Sequence, residues 1–310
     1  MNSFGNQAKS NKKVLMRLQG RLGNQLFQLA YALSISQRFK GKILLDDYLP
    51  TRSGFGRCLF EELSVFNYFQ YCSKLRSFSS RVQHNPTFRK IFKPSKLFVE
   101  SEKIEELYHH KRELILVHPY YSFTGFFQAT CFFPEKHILL KAFSLRRELI
   151  CEPLLKLLHL AEKKECLAVS IRRGDFLEAA GSSMGACSND YYLNAIALVQ
   201  NKRDIDCIFV FSDDIGYCRE LLASIDCQVI YVEGFTPTKS LYLMSQCKHF
   251  VIANSTFSWL GAWLSEYKNR LVIAPDPWND NYAVSTDLFP SDWIRLAKHP
   301  TASTISINQN

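Results

Sequence analysis

The second half of the chain alternates between short apolar runs and amphipathic stretches. The apolar runs predict strands at Cys166–Ile171, Cys207–Phe211, Gln228–Val232, His249–Ile252 and Leu271–Ala274. Between them, apolar residues recur at helical spacing, which predicts helices at Asp190–Gln200, Gly216–Ser224, Thr238–Gln246 and Phe257–Glu266. Strictly alternating strands and helices, with strands apolar on both faces, are typical of a doubly wound parallel sheet covered by helices.

The first half begins with a similar unit. It predicts a strand, a glycine-bounded loop, a helix and a second strand at Lys13–Leu18, Gly20–Gln25, Asn24–Phe39 and Ile43–Leu45. The loop departs from the G-x-G-x-x-G fingerprint, which disfavours a nicotinamide cofactor. The basic and aromatic stretch from Thr51 to His110 is interpreted as short amphipathic helices with inward-facing aromatics. A later strand and helix are predicted at Leu114–Tyr120 and Leu145–Lys164, the latter open to interruption by Pro153.

This pattern predicts two α/β domains, at residues 13–164 and 165–300. Residues 1–12 are expected to be a disordered lead, and residues 301–310 a flexible tail. A chain of 310 residues is long enough for two domains of ordinary size, each with its own core.

The composition narrows the class of protein. Hydrophobic residues make up 47% and charged residues 22%, as in globular proteins, and no apolar run approaches the ~20 residues of a spanning helix. The polar N-terminus lacks the apolar core of a secretory signal. The ten cysteines contain no C-x-x-C pair, so we predict reduced thiols and a cytoplasmic location. The eight histidines lack zinc-site spacing.

The charge is unevenly distributed between the halves. Residues 1–150 contain 24 Lys and Arg against 11 Asp and Glu, a net of +13, and the remainder has a net of −4. The basic half is suited to nucleic acid, an anionic membrane surface or a phosphate-bearing substrate. A solvated basic surface is the simpler interpretation.

Polar residues follow three of the predicted strands. They form the groups Arg172-Arg173-Gly174-Asp175, Ser212-Asp213-Asp214 and Asn254-Ser255-Thr256. The carboxyl ends of parallel strands meet at one edge, where open α/β sheets bind ligands. Guanidinium groups and helix-start amides bind phosphate, and Asp213 is placed to accept hydrogen bonds from ribose or guanine. A turn or a helix cap is the structural alternative for each group.

Together these segments resemble the α-1,2-fucosyltransferases of glycosyltransferase family 11. The matching segments occur in family order at Gly20–Gln28, Gly125–Gln128, Ile171–Asp175, Phe211–Asp214 and Ala253–Trp259. Cys187-Ser188 before Tyr191-Tyr192 is similar to bacterial members. Two positions depart from the pattern: Ser170 stands where the family usually has histidine, and Leu260 where a second tryptophan is common.

The resemblance implies the GT-B architecture, with two Rossmann-like domains facing a central cleft and GDP-β-L-fucose held mainly by the second. It implies an inverting enzyme that transfers L-fucose to the 2-hydroxyl of galactose in a glycan, without a metal or other cofactor. Arg172 would stabilise the β-phosphate, and Asn24 with the Gly23 amide would contact the diphosphate or orient the acceptor hydroxyl. Donor contacts are expected at Gly23, Asn24, Arg172, Arg173, Asp213, Asn254, Ser255 and Thr256. Candidates for the general base are Asp175, Asp46 and Asp47, and the alternative is a loose transition state that needs little help from a base. Arg173 is expected to pair with Asp175.

The acceptor is expected to be O-antigen-like or human-H-antigen-like, with a lipid diphosphate as a candidate carrier. The basic half would then hold the enzyme peripherally at the inner face of the membrane. No nucleic-acid partner is expected.

Two alternatives stay open at this point. One is a metal-dependent GT-A transferase that uses Asp204-Ile205-Asp206, and the other is a non-catalytic protein that binds carbohydrate or nucleic acid through its basic half.

Overall fold

The computed structural model describes residues 13–39, 42–47, 60–71, 97–99, 120–174, 185–281, 283–284 and 286–300. The chain separates into two compact units, with the boundary between Ala142 and Phe143. Each unit contains a parallel β-sheet.

The first unit is built on strands whose order in the sheet is β3-β2-β1-β5-β4 among the described residues. They are β1 (Lys13–Arg17), β2 (Lys42–Asp46), β3 (Gln70–Tyr71), β4 (Leu97–Val99) and β5 (Tyr120–Thr124). Helices α1 (Leu22–Phe39) and α2 (Lys136–Ala142) accompany them. The apolar residues of α1 that the sequence spaces three and four apart are buried, which anchors the start of the helix beside the end of β1.

An aromatic cluster fills the core beside α1. Tyr31 packs against Phe127 with ring centroids 4.5 Å apart, and against Phe132 at 5.1 Å. Phe27 and Phe133 extend the cluster at 5.2 Å. The segment after β5 is therefore fixed to α1 by buried rings.

The second unit has the order β11-β10-β9-β6-β7-β8, and every described pair is parallel. The strands are β6 (Cys166–Ile171), β7 (Cys207–Ser212), β8 (Gln228–Tyr231), β9 (His249–Val251), β10 (Val272–Asp276) and β11 (Ile294–Ala297). The helices are α3 (Glu152–Lys163), α4 (Asn189–Gln200), α5 (Ile215–Leu221), α6 (Pro237–Ser245) and α7 (Thr256–Leu264). Counted from β6, this is the doubly wound order, which reverses between β6 and β9.

Several sequence predictions need correction. The helix predicted from Leu145 begins at Glu152, and Pro153 lies in its first turn, where a missing amide hydrogen costs no helical hydrogen bond. This helix belongs to the second unit. The strand described near the predicted Leu114–Tyr120 is Tyr120–Thr124, and residues 114–119 lie outside the described part. Strand β11 was not predicted from the sequence. Its four residues are partly buried or exposed, so they do not form the long apolar run that marks a strand such as β6.

Other predictions fall mostly on undescribed residues. These are the lead, the tail and most of the basic aromatic stretch; its described parts are strands β3 and β4 and a 3-10 helix at Ser64–Tyr68. The eight cysteines described by the structure are free thiols. Within the described ranges, no helix combines the length and apolar character needed to cross a membrane.

A polar network around the buried His249 lies at the amino edge of the second sheet. His249 is fully buried, and its Nε2 lies 2.7 Å from Glu165, whose other oxygen lies 3.2 Å from Lys248 Nζ. His249 Nδ1 accepts a hydrogen bond from the Leu271 amide at 3.0 Å, so the proton of the neutral ring is on Nε2. Burial lowers the pKa of His249, and the hydrogen bond to Glu165 only partly offsets this effect. Burial acts to raise the pKa of Glu165, but hydrogen bonds from His249 and Lys248 outweigh it and lower the pKa.

We predict that the stability of the His249→Gln variant depends less on pH than the stability of the wild type. Because the folded pKa of His249 is below its ordinary value, the unfolded chain binds more protons, and stability falls as the pH drops through about 6.5. Between pH 7 and pH 5 the wild type should lose up to about 1 kcal/mol more free energy of unfolding than the variant, as measured by urea titration.

The matched control is His137→Gln, which replaces a histidine whose side chain is 73% exposed and so should change the free energy of unfolding by less than about 0.5 kcal/mol. Parallel profiles for wild type and His249→Gln would show that the buried imidazole does not set this dependence.

Candidate active site

Three loops meet at the carboxyl edge of the second sheet. Strand β6 lies between β7 and β9, so the residues that follow these strands are neighbours. Ile171 is paired with Ser212, which places Arg172 next to Asp213. The reversal of strand order between β6 and β9 makes this edge the position where doubly wound sheets bind their ligands.

Asp213 joins the two arginines of the loop after β6. One carboxylate oxygen lies 2.8 Å from Arg172 Nη1, and the other accepts the Arg173 backbone amide at 3.0 Å. Gly174 permits this approach, because a Cβ at that position would lie 2.6 Å from the Asp213 carboxylate. The sequence also predicts that Asp213 accepts hydrogen bonds from ribose or guanine, and in the structure its carboxylate holds the arginine loop.

Arg173 is held by the loop after β7. Its Nε lies 3.4 Å from Asp214, and its guanidinium stacks over the Tyr217 ring at 3.5 Å from the centroid. Asp214 also caps α5 by accepting the Tyr217 amide at 3.1 Å, the helix-cap role that was the structural alternative. Burial raises the pKa of Tyr217, although Arg173 acts in the opposite direction. Asp175, the partner expected for Arg173, lies outside the described residues.

Asn254 is fully buried and cross-links three segments. Its amide nitrogen donates to the carbonyls of Gly185 at 2.8 Å and Trp278 at 3.0 Å, and its oxygen accepts from the Cys187 thiol at 3.6 Å. Burial raises the pKa of Cys187 to about 11, so this thiol stays protonated and able to donate near neutral pH. The amide of Asn254, which is also a predicted donor contact, positions the residues that follow it.

The start of α7 presents groups suited to an anion. Ser255 is the N-cap of this nine-residue helix, and its side chain makes no capping hydrogen bond. The first amides of a helix lack intrahelical acceptors, and the positive end of the helix dipole adds to their attraction for phosphate. Ser258 steadies the turn, since its hydroxyl lies 3.0 Å from both the Ala253 and Ser255 carbonyls. Ser255 and Thr256 are half-buried at this position.

Ser170 lies in β6 opposite Phe211 of β7 and is 6% exposed. The family resemblance expects a histidine at this position. A short hydroxyl therefore takes the place of an imidazole directly beneath the arginine loop.

The first unit places its predicted residues at the carboxyl edge of its own sheet. Helix α1 starts at Leu22, so Gly23 and Asn24 lie in its first turn. Asn24 Oδ1 accepts the Gln128 side-chain amide at 3.1 Å. Gly20 has a φ of +75° and must be glycine, because a Cβ there would lie 2.4 Å from Asn24 Nδ2.

The candidates for the general base occupy different environments. Asp46 is 1% exposed and lies 3.5 Å from the buried Arg17, so its contacts are those of a structural ion pair. Asp47 is half-buried at the end of β2.

The acidic pair of the GT-A alternative lies at the wrong edge. Asp206 directly precedes β7 and accepts the Glu165 amide at 2.7 Å, so it is separated from Asp213 by the length of the strand. Within the described ranges, no three His, Cys, Asp or Glu side chains are grouped so that they could hold a metal ion.

A separate cavity of about 500 Å³ lies beyond the ends of β10 and β11. It is lined by residues that include Trp278, Asn279, Phe289 and Arg295, and by none of the residues predicted from the sequence. One lining residue, Trp278, is linked to the candidate site, because Asn254 donates a hydrogen bond to its carbonyl.

Sequence reasoning missed the residues that support the site. Tyr217 and Gln128 are uncharged, so the search for charged groups at strand ends did not identify them. Gln128 does lie in the segment Gly125–Gln128 that matches the family. Their roles depend on contacts across the fold, at Arg173 and Asn24 respectively.

A doubly wound sheet with paired arginines and a helix start at the reversal of its strand order (the switch point) is suited to binding a phosphate-bearing ligand, as in nucleotide-sugar transferases. The chain belongs to glycosyl transferase family 11, which matches residues 7–297. It is therefore a glycosyltransferase, and the family resemblance is confirmed.

Two curated relatives from Escherichia coli span nearly the whole chain. An α-1,2-colitosyltransferase is 32% identical over 92% of this chain and 99% of its own length. The O-antigen biosynthesis glycosyltransferase WbnK is 28% identical over 90% of this chain and 99% of its own length.

Among solved structures, the chain is similar to NodZ α-1,6-fucosyltransferase soaked with GDP-fucose, with a TM-score of 0.52. The identity is 14%, over 87% of this chain and 97% of that chain. The likeness confirms the predicted fold class, GT-B-like with Rossmann-like parallel sheets.

We predict that Asn254→Ala destabilises the protein by about 2 kcal/mol, because it leaves the carbonyls of Gly185 and Trp278 without their buried donor. Chemical denaturation of wild type and variant measures this difference.

The control is Asn201→Ala, since Asn201 is exposed at the end of α4 and should change stability by less than about 0.5 kcal/mol. An Asn254→Ala variant as stable as the wild type would remove the structural role assigned to this amide.

Proposed function

We propose that this glycosyltransferase is an inverting galactoside α-1,2-fucosyltransferase that moves L-fucose from GDP-β-L-fucose to the 2-hydroxyl of a galactose residue. The observation that carries the proposal is the bridge from Asp213 to Arg172 and to the Arg173 amide, at the switch point beside the start of α7. This arrangement offers a fixed guanidinium and helix-start amides to a diphosphate. The family motifs connect it with a fucosyl donor.

The chemistry of the leaving group assigns the main role to Arg172. As the bond from the sugar to the β-phosphate breaks, negative charge grows on the phosphate while the sugar gains oxocarbenium character. A guanidinium held in place before the reaction stabilises that charge without reorganising. Asp213 supplies the hold, and Arg172, whose side chain is 20% exposed, keeps part of its surface toward solvent. Ser255, Thr256 and the amides of α7 would bind the remaining phosphate oxygens.

The remaining roles rest on the family resemblance. Asp175 is our candidate for the base that removes the proton from the attacking hydroxyl, with Asp47 as the alternative. Gly23 and Asn24 would contact the diphosphate or orient the acceptor hydroxyl. Arg173 contributes positive charge near the donor, and Asn254 acts indirectly by positioning Ser255. No metal or other cofactor takes part in this proposal.

The acceptor we propose is a galactose-containing glycan of the O-antigen type. The name of the relative WbnK supports this class, and the colitosyltransferase supports the α-1,2 linkage. The colitosyltransferase also favours a second candidate for the donor, in which colitose replaces fucose on GDP.

We predict that the wild type releases GDP from GDP-fucose in the presence of a galactoside, and that Arg172→Ala lowers kcat by roughly a hundredfold or more. EDTA should leave the rate unchanged, because the arginine supplies the charge that a metal would supply in the GT-A alternative. A coupled GDP-release assay on a panel of galactosides, with GDP-fucose and GDP-colitose in parallel, measures both donors.

The matched control is Arg219→Ala. Arg219 also pairs with a carboxylate, Glu233 at 2.9 Å, and stacks over Tyr231 at 4.2 Å, but it lies on α5 away from the switch point. Wild-type turnover in Arg172→Ala, or loss of turnover with EDTA, would overturn the mechanism. Turnover with GDP-colitose and none with GDP-fucose would identify colitose, and not fucose, as the sugar that is transferred.

We further propose that the basic first half places the protein at an anionic membrane surface, where a lipid-diphosphate-linked acceptor would be presented. Its net charge of +13 over residues 1–150 supports the attraction, worth about 1 kcal/mol for each basic residue near the surface. Co-sedimentation with vesicles should rise with their anionic lipid content and fall with added salt. Binding that is indifferent to lipid charge would remove this part of the proposal.

A further inference from the structure

The turn after β5 has an unusual backbone. Phe127 has a φ of +53°, in the left-handed region that favours glycine. A residue with a Cβ is strained in this conformation. Such strain persists only where the surrounding structure imposes it, and it concentrates at functional positions.

Two sets of contacts impose it. The Phe127 ring is 1% exposed and packs against Tyr31 at 4.5 Å and Phe132 at 5.6 Å. On the other side, the Gln28 side-chain amide donates to the Gly125 carbonyl at 2.9 Å in a buried hydrogen bond. The turn is thus tied at both ends to the core of the first unit.

The consequence of the strained turn is the position of Phe126. While Phe127 is buried, Phe126 is 41% exposed, and it is one of three large hydrophobic side chains that are exposed in the described part of the chain. An exposed phenylalanine ring forgoes part of the free energy that its burial would contribute. The exposed part of this ring is therefore accessible to a ligand.

The place of the turn points to that ligand. In the order β3-β2-β1-β5-β4, the chain reverses between β1 and β5, which makes the edge beyond these strands the ligand position of the first sheet. Gln128 follows in the same turn, and its side-chain amide joins Asn24 at 3.1 Å in the first turn of α1. A flat apolar ring and a pair of neutral amides occur together at this edge.

We infer that Phe126, with Gln128 and Asn24, forms the subsite that binds the galactose ring of the acceptor. The apolar face of a pyranose packs on an aromatic ring, and its hydroxyls pair with amide groups. The groups named are neutral, which suits an uncharged sugar, whereas the arginines and the helix start that suit phosphate lie in the second unit. This inference rests on the proposed function for the identity of the sugar.

The test compares Phe126→Ala, Phe126→Tyr and the control Tyr68→Ala. Tyr68 is 50% exposed in the same unit, so its removal matches the loss of an exposed ring. Phe126→Ala should raise the KM for the galactoside roughly tenfold, equivalent to 1.4 kcal/mol, with an unchanged KM for the GDP-sugar. Phe126→Tyr keeps the ring and should restore the wild-type value, and Tyr68→Ala should have no effect.

A second measurement separates this inference from the proposed function. Saturation-transfer NMR of methyl β-galactoside, without any donor, should show binding to the wild type and to Phe126→Tyr and a weaker signal with Phe126→Ala. Calorimetry with GDP tests the donor site independently. Wild-type galactoside binding by Phe126→Ala, or equal rises in both KM values, would overturn the subsite. Galactoside binding that depends on Phe126, in a protein that neither binds GDP nor turns over a GDP-sugar, would uphold the subsite and overturn the proposed function.

Discussion

Parallel pairing is the constraint on which the second unit depends. Because β6 runs in the same direction as β7 and β9 and lies between them, the chain must leave all three strands at one edge. Residues far apart in sequence, such as Arg172 and Ser255, thereby become neighbours of the same ligand position. The strands are buried on both faces, so their register is fixed by packing, and the loops are free to carry polar groups.

The polar groups at this edge are held in place by contacts within the protein. Two adjacent arginines repel each other, and the carboxylates of Asp213 and Asp214 offset that repulsion by engaging one side chain each. Asn254 does the same for the turn before α7 through hydrogen bonds rather than charge. Side chains with fixed orientations lose little freedom on binding, which is how a rigid α/β scaffold supports electrostatic catalysis.

The sequence predicted much of this architecture. Runs such as Cys166–Ile171 are long, apolar and bounded by charges, so their strands were located within about two residues, and the arginine loop was correctly placed at a strand end. Contacts between loops were harder to predict from the sequence. The bridge from Asp213 to Arg172 depends on the pairing of Ile171 with Ser212, and the burial of Asn254 depends on a loop that returns from Gly185. The left-handed conformation of Phe127 has no local signal at all, because the residue type argues against it.

The two edges of the second sheet hold separate sets of residues. Glu165, His249 and Lys248 form the network at the amino edge, while the arginines and the start of α7 lie a strand length away. The two sets share no member among the described residues. An evolutionary lineage can therefore change the loops at one edge while the interactions at the opposite edge continue to hold the strands in register.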